Sequence, residues 1–281
     1  MSKAAAFSSL KEFISYRDSL QSHVKVGFVP TMGALHAGHI SLIRASKKKG
    51  NYSVSSIFVN PSQFNNKSDF INYPITIESD IEKMEACGCD VLFLPSVKEI
   101  YPDDFVPQHY DLGYLENILE GKYRPGHFQG VSQVVDRFLG IIQPDELYLG
   151  EKDYQQCMVI KKLISLKGYN TKTIVHPTLR ELDGLAMSSR NLRLNENERQ
   201  KADKLHKALD HIGTNLHLRD INKLKNESVE LLEKRGFRVD YIEIADAETL
   251  LPVSANTAKK VILGAAYLNE IRLIDNLMIS S

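Results

Sequence analysis

The sequence predicts an α/β protein, a Rossmann-like doubly wound parallel sheet followed by a smaller C-terminal α+β domain. Three observations carry that expectation. Short apolar, β-branched runs alternate with segments of helical period through most of the chain, and alternating β and α implies a parallel sheet with helices on both faces. Several of the runs are near-continuous rather than alternating, as strands buried on both faces are. Beyond Leu179 the pattern changes to charged amphipathic helices and then to a cluster of strands.

In chain order, Phe7, Leu10, Phe13 and Ile14 suit an opening amphipathic helix. Strands are expected at 25–29, 53–59, 91–94, 146–149 and 171–175, with helices at 37–48, 77–86, 131–142 and 154–166 between them. A boundary falls near His176-Pro177-Thr178, because proline discourages continuation of a strand. The domains are then 1–178 and 179–281. The second holds helices at 196–217 and 222–234 and strands at 239–245, 260–266 and 271–274. No internal repeat or low-complexity tract is visible.

Composition narrows the function classes. Lys+Arg and Asp+Glu are both 35, so the net charge is zero and gives no electrostatic footprint for nucleic acid or an anionic membrane. No apolar run reaches transmembrane length, and the first twenty residues lack a signal-peptide pattern. Cys87, Cys89 and Cys157 are too few and too scattered for a disulfide scaffold, which points to a reducing, cytoplasmic setting. Cys87-Gly88-Cys89 reads as the end of a helix ahead of a strand more readily than as a redox or metal pair.

The densest chemistry lies in Pro30-Thr31-Met32-Gly33-Ala34-Leu35-His36-Ala37-Gly38-His39. A strand leads in and a helix leads out. Residues three apart share a helix face, so His36 and His39 aim together. A helix N-terminus favours phosphate, and Gly33 and Gly38 let a polyanion approach the backbone. The reading is a triphosphate site faced by two imidazoles. A lone His-x-x-His is as often an ordinary pair, and no carboxylate or cysteine stands at metal-ligand spacing nearby.

Other motifs fall at strand ends too, where doubly wound sheets bind ligands. In Gly150-Glu151-Lys152-Asp153-Tyr154-Gln155-Gln156, Gly150 permits a turn, Asp153 suits a cap and Lys152 offers a point charge. Gln156 lies at helical spacing from Asp153. Asn60-Pro61-Ser62-Gln63-Phe64 offers a second amide in Gln63. Met187-Ser188-Ser189-Arg190-Asn191 brings two hydroxyls and an arginine fork for phosphate, or else a capping loop. Arg124 and His127 in Arg124-Pro125-Gly126-His127-Phe128 are candidates for an anionic substrate. Glu78 and Asp80 suit water-mediated Mg²⁺, but first-turn helix positions explain them better.

Taken together these segments resemble the pantothenate synthetases, the pantoate–β-alanine ligases. The likeness also takes in Ser56-Ile57-Phe58-Val59-Asn60, Tyr73-Pro74, Gly130-Val131, Asp183-Gly184-Leu185-Ala186 and Arg272-Leu273-Ile274-Asp275-Asn276, in order over residues 25–276. It implies an AMP-forming carbon–nitrogen ligase of the His-x-Gly-His nucleotidyltransferase superfamily, related to class I tRNA synthetases. Pantoate and ATP would give pantoyl adenylate and pyrophosphate, and β-alanine would then displace AMP to yield pantothenate, a step toward coenzyme A.

The resemblance places ATP on Met32, Gly33, Ala34, Leu35, His36, Ala37, Gly38, His39, Gly150, Glu151, Lys152, Asp153, Leu179, Met187, Ser188, Ser189 and Arg190. Within that set His36, His39, Lys152, Ser188, Ser189 and Arg190 are the transition-state donors, with His39 in the family's proton-donor role. Hydrogen bonding to phosphate answers the same need. Gln63 and Gln156 would form the substrate site for pantoate and β-alanine, holding pantoate by its hydroxyls and carboxylate. Mg²⁺ would come with the β,γ-phosphates, with no protein ligand set assigned. A homodimer is a further implication; the place of Met187 to Arg190 near the expected domain junction separately suggests that the second domain acts as a lid.

Three other readings compete. A different nucleotidyltransferase would need room for a larger acceptor, and a tRNA synthetase would need an anticodon-binding extension. A nucleotide-sensing module would keep the phosphate loops and lack a second substrate pocket.

Overall fold

A computed structural model describes residues 3–254 and 257–279. The chain divides into two compact units, Met1–Glu151 with Gln155–Pro177, and Lys152–Tyr154 with Thr178–Ser281. A reading that cuts the chain once, at residue 178, has no counterpart for the three-residue piece at 152–154.

The first unit holds a six-stranded sheet of β1 (Ala5–Phe7), β2 (Val26–Thr31), β3 (Tyr52–Ile57), β4 (Val91–Phe93), β5 (Glu146–Gly150) and β6 (Lys172–His176). Their spatial order is β1-β4-β3-β2-β5-β6, and all the pairings are parallel. The chain winds outward from β2 to β3 and β4, then crosses back to β5 and β6. That reversal makes the carboxyl ends of β2 and β5 the switch point of the sheet, where a crevice opens.

Alternation along β2 builds both layers. Phe28 packs on Phe138 of the His127–Ile142 helix, with ring centroids 5.5 Å apart. Val29 joins Ile43 of the Ala37–Lys48 helix in the core on the other face. Pro30 lies inside this central strand, which its missing N–H ordinarily forbids. It is tolerated because β2 pairs with β5 only at Gly27 and Phe28. By Pro30 the two strands have parted, so no ladder bond is lost on that side.

Several boundaries differ from the sequence reading. Phe7 ends a strand instead of opening a helix. The helix is Leu10–Ser19, capped by Ser9. Three residues, Ala-Ala-Phe, carry too little pattern to mark β1, which is defined by its pairing with β4. The helix expected at 131–142 begins at His127, because Gly126 at φ +78° turns the chain into it. The expected helices at 37–48 and 77–86 match Ala37–Lys48 and Ile77–Ala86.

The second unit is a three-stranded antiparallel sheet, β7 (Phe237–Asp246), β8 (Lys260–Leu268) and β9 (Ile271–Ile279), in that order. Leu205, Leu209, Ile212, Leu224 and Leu232 from its helices bury against Ile262, Ala266 and Leu273 of the strands. The single helix expected over 196–217 is two, Glu196–Ala202 and Lys204–Asn215. They are separated at Asp203, whose backbone keeps near-helical angles of φ −64° and ψ −17°. The strand expected to stop at 274 continues to Ile279, because its polar pair Asp275 and Asn276 is buried rather than solvated. Among the described residues no helix is long and apolar enough to cross a membrane.

Candidate active site

In the first unit, β2 ends at Thr31, whose hydroxyl donates to the Ser56 carbonyl at 2.6 Å and so ties β2 to β3. The chain then turns left-handed twice, at Gly33 (φ +85°) and at Ala34 (φ +51°). A Cβ on Gly33 would lie 3.2 Å from both Asp80 and Ile57, so glycine fits on grounds of angle and of space. Ala34 has no such excuse and must be held in place.

Asp80 holds it. This side chain is fully buried. Its Oδ2 accepts the Ala34 N–H at 2.8 Å and the Thr76 hydroxyl at 3.0 Å, and its Oδ1 accepts the Leu35 N–H at 2.7 Å. Lys83, one turn further along the same helix, donates to the Leu35 carbonyl at 3.0 Å. Asp80 is thus an internal brace for the histidine loop.

The two histidines cap their own helix. His36 Nδ1 accepts the Gly38 N–H at 3.1 Å, and His39 Nδ1 accepts the His36 N–H at 3.4 Å, a capping box built from imidazoles. The rings lie 4.1 Å apart, centroid to centroid. With Nδ1 accepting, a neutral imidazole carries its proton on Nε2, so each ring presents an N–H donor on its far edge. The N–H groups of Ala34, Leu35, His36 and Gly38 have protein acceptors.

Gln63 sits beside this loop. Its Nε2 lies 2.8 Å from Met32 Sδ, and its Oε1 accepts from Asn60 Nδ2 at 3.1 Å. Asn60 is itself buried, donating to the Gly130 carbonyl and accepting from the Tyr101 hydroxyl. Gly130 is required because a Cβ there would lie 2.1 Å from the Ser62 carbonyl oxygen. A cavity of about 250 Å³ flanks Met32 and Gly33 and runs past Ile75 and Val97.

Two further sequence candidates have protein partners. His127 is 4% exposed and its Nδ1 pairs with the Gln63 carbonyl at 2.8 Å, which braces the turn. Arg124 pairs with Glu120, 3.6 Å away. Gln156 is half-buried on the Tyr154–Lys167 helix. Its neighbour Gln155 is buried, accepting from Glu120 N–H and donating to the carbonyls of Leu115 and Ile118. Gly150 ends β5, half-buried like Glu151 beside it.

In the second unit Lys152 and Asp153 belong to a 3₁₀ turn running straight into that helix. The Lys152 carbonyl accepts from Asn276 Nδ2 at 2.9 Å. Leu179 and Met187 close a hairpin through Met187 N–H to Leu179 O at 3.0 Å, with Arg180 bridging Ala186. Ser188 caps the next turn, accepting from Arg190 N–H at 3.3 Å, which is the capping role the sequence also allowed. Ser189 is buried and Arg190 half-buried.

The same unit holds an ion cluster around one buried carboxylate. Arg180 grips Asp275 with two hydrogen bonds, at 2.7 and 3.0 Å, and His206 Nδ1 lies 3.2 Å from the same carboxylate. Burial alone would raise the Asp275 pKa, but these two partners outweigh it and hold the carboxyl below its ordinary range. Sequence reasoning weighed Asp80 only as a water-mediated Mg²⁺ ligand or a first-turn helix residue, placed Asn60, Asp275 and Asn276 in motifs without a role, and did not single out Arg180 or His206. A polar residue within an apolar run was the one signal available. Among the described residues, no group of three or more His, Cys, Asp or Glu converges as a metal site.

Comparison with known proteins places these features in context. The family model described as Pantoate-beta-alanine ligase matches residues 5–278. A pantothenate synthetase from Psychromonas ingrahamii is 42% identical over 259 residues, covering 91% of this chain and 90% of the relative. The crystal structure of pantothenate synthetase from Thermus thermophilus superposes with a TM-score of 0.92 at 39% identity, covering 99% of this chain and 100% of that one. The Francisella tularensis pantoate-beta-alanine ligase, complexed with beta-gamma ATP and beta-alanine, gives a TM-score of 0.84 at 40% identity, with 98% and 97% covered.

Proposed function

This chain belongs to the pantoate–β-alanine ligase family, and from that premise we propose that it works through a pantoyl-adenylate intermediate on the residues described above. The observation that carries the reading is the pair His36 and His39. Both rings are fixed through Nδ1 and stand at the start of the helix that follows the central strand, beside the switch point.

In the first step a carboxylate oxygen of pantoate attacks the α-phosphorus of ATP. The bond to the bridging oxygen breaks and pyrophosphate leaves. Negative charge grows on the phosphoryl oxygens, and donors fixed in advance stabilise it without reorganising. His36 and His39 supply Nε2–H groups, and Lys152, Ser188, Ser189 and Arg190 supply the remaining donors. Mg²⁺ arrives with ATP as part of the substrate and neutralises the β,γ-phosphates.

Met32, the loop from Gly33 to Gly38, the turn from Gly150 to Asp153, Leu179 and Met187 bind the nucleotide. Gln63 and Gln156 hold pantoate by its hydroxyls and carboxylate. In the second step the β-alanine amine attacks the acyl carbonyl, the bond to AMP breaks, and the nitrogen loses a proton. Residues 179–281 act as a lid that keeps water from the acyl adenylate, and the enzyme works as a cytoplasmic homodimer. The Francisella relative, with an ATP species and β-alanine bound, supports this choice of substrates.

Isotope exchange tests the intermediate. Label from pyrophosphate should enter ATP when pantoate is present and β-alanine is absent. Exchange that needs β-alanine would contradict a free-standing adenylate.

A further inference from the structure

The turn at Lys152–Tyr154 interrupts the first unit in sequence but packs with the second. Two hydrogen bonds account for that. Asn276 Nδ2 donates to the Lys152 carbonyl at 2.9 Å, and the Tyr154 hydroxyl donates to the Ala247 carbonyl at 2.8 Å. Asn276 is itself fixed from three sides. Its side chain is 4% exposed. Its N–H donates to Asp275 Oδ1 at 2.7 Å, and its carbonyl accepts from Arg180 Nη2 at 3.0 Å.

The same Arg180 donates to the Gly184 carbonyl at 3.1 Å, inside the hairpin that leads to Ser188, Ser189 and Arg190. It grips Asp275 with both nitrogens. Gly184, at φ +97°, lies against His206, and a Cβ there would stand 2.7 Å from that ring. One buried node on β9 therefore anchors two separate pieces of chain, the Lys152 turn through Asn276 and the Leu179–Met187 hairpin through Arg180.

An amide buried in a strand that donates to a carbonyl outside its sheet is costly to keep unless the contact matters. Apolar side chains would serve the sheet as well, because a buried hydrogen bond is worth only about 1 kcal/mol net. We infer that Asn276 is a positioning residue for Lys152, with Tyr154 as the second anchor of the same turn. The pair fixes the main chain from which the lysine reaches. The inference rests on the proposed role of Lys152 as a nucleotide contact.

The test is a double-mutant cycle on the full chain. Asn276→Ala should lower kcat/KM for ATP by about 10- to 100-fold, the scale expected when a reacting group is misplaced by about an ångström. KM for pantoate should change less than about two-fold. In a Lys152→Ala background the same substitution should cost under about two-fold, since the group it positions is already gone. An equal loss in both backgrounds, or no loss in the single variant, overturns the inference.

If Asn276→Ala does not fold, Tyr154→Phe removes a single hydroxyl and should show the same non-additivity with Lys152→Ala. Additive losses there overturn it equally. ATP affinity measured by calorimetry is read on every variant. Because it requires no pantoate, failure of the ligase reading and failure of this inference are told apart.

Discussion

Asp80 accepts the Ala34 N–H at 2.8 Å and thereby pins a non-glycine residue at φ +51°. A fully buried carboxylate thus compensates for a backbone conformation that L-residues avoid. Its second oxygen takes the Leu35 N–H. Asp80→Ala leaves two buried donors without this acceptor, at about 1–3 kcal/mol each. Urea denaturation should therefore show a loss of about 2–6 kcal/mol, with a smaller loss for Asp80→Asn. A variant as stable as the parent would show that the loop is held by other contacts.

His39→Ala and Lys152→Ala should fold normally and lose pantoate-dependent pyrophosphate release by about 10²–10³, as removal of one oxyanion donor does elsewhere. His36→Ala should lose a similar factor. Near-parental release from any of these variants would remove that residue from the chemistry.

Gly130→Ala tests the brace beneath Gln63. The new Cβ would lie 2.1 Å from the Ser62 carbonyl oxygen, so the turn or the helix must shift. Overpacking of this kind costs about 1–3 kcal/mol. KM for pantoate should rise more than KM for ATP, because Gln63 follows Ser62 directly. Equal changes in both would separate the turn from pantoate binding.

Glu146 predicts an acid limit to stability. Burial opposes its ionisation, but Lys49, the Tyr148 hydroxyl and Asn51 together hold its carboxyl down at about 2, against an ordinary 4.5. The folded pKa lies below the unfolded one. Its contribution is therefore complete above about 4.5 and is lost as the pH falls through about 2. Glu146→Gln should flatten the stability profile across that window and leave its shape at neutral pH unchanged. An unaltered acid profile would assign the loss to other carboxylates.

Legibility in the sequence followed local physics. Ala37–Lys48 and Ile77–Ala86 were readable at both ends because apolar period and end residues agree there. Strand β1 was not, since three residues of Ala-Ala-Phe acquire strand character only from β4. Pro30 lay just beyond the strand expected at 25–29, and nothing in the sequence reveals that β5 has already parted from β2 there.

Among candidate site residues, motif order pointed to His36, His39 and Gln63. The bracing work of Asp80 and Asn276 was hidden, although Asp80 itself was singled out, because it is done through main-chain partners distant in sequence. Arg124 and His127 show the converse. Charge-bearing types at a loop suggest a ligand, yet these two meet Glu120 and the Gln63 carbonyl.

The most direct test of the central claim is steady-state turnover by the purified chain with Mg-ATP, the products being identified by mass. With pantoate and β-alanine together, AMP, pyrophosphate and pantothenate should form in equal amounts over many turnovers. Omitting β-alanine should leave pyrophosphate release limited to about one equivalent per site. Folded, ATP-binding protein that forms no pantothenate from the pair would contradict the account.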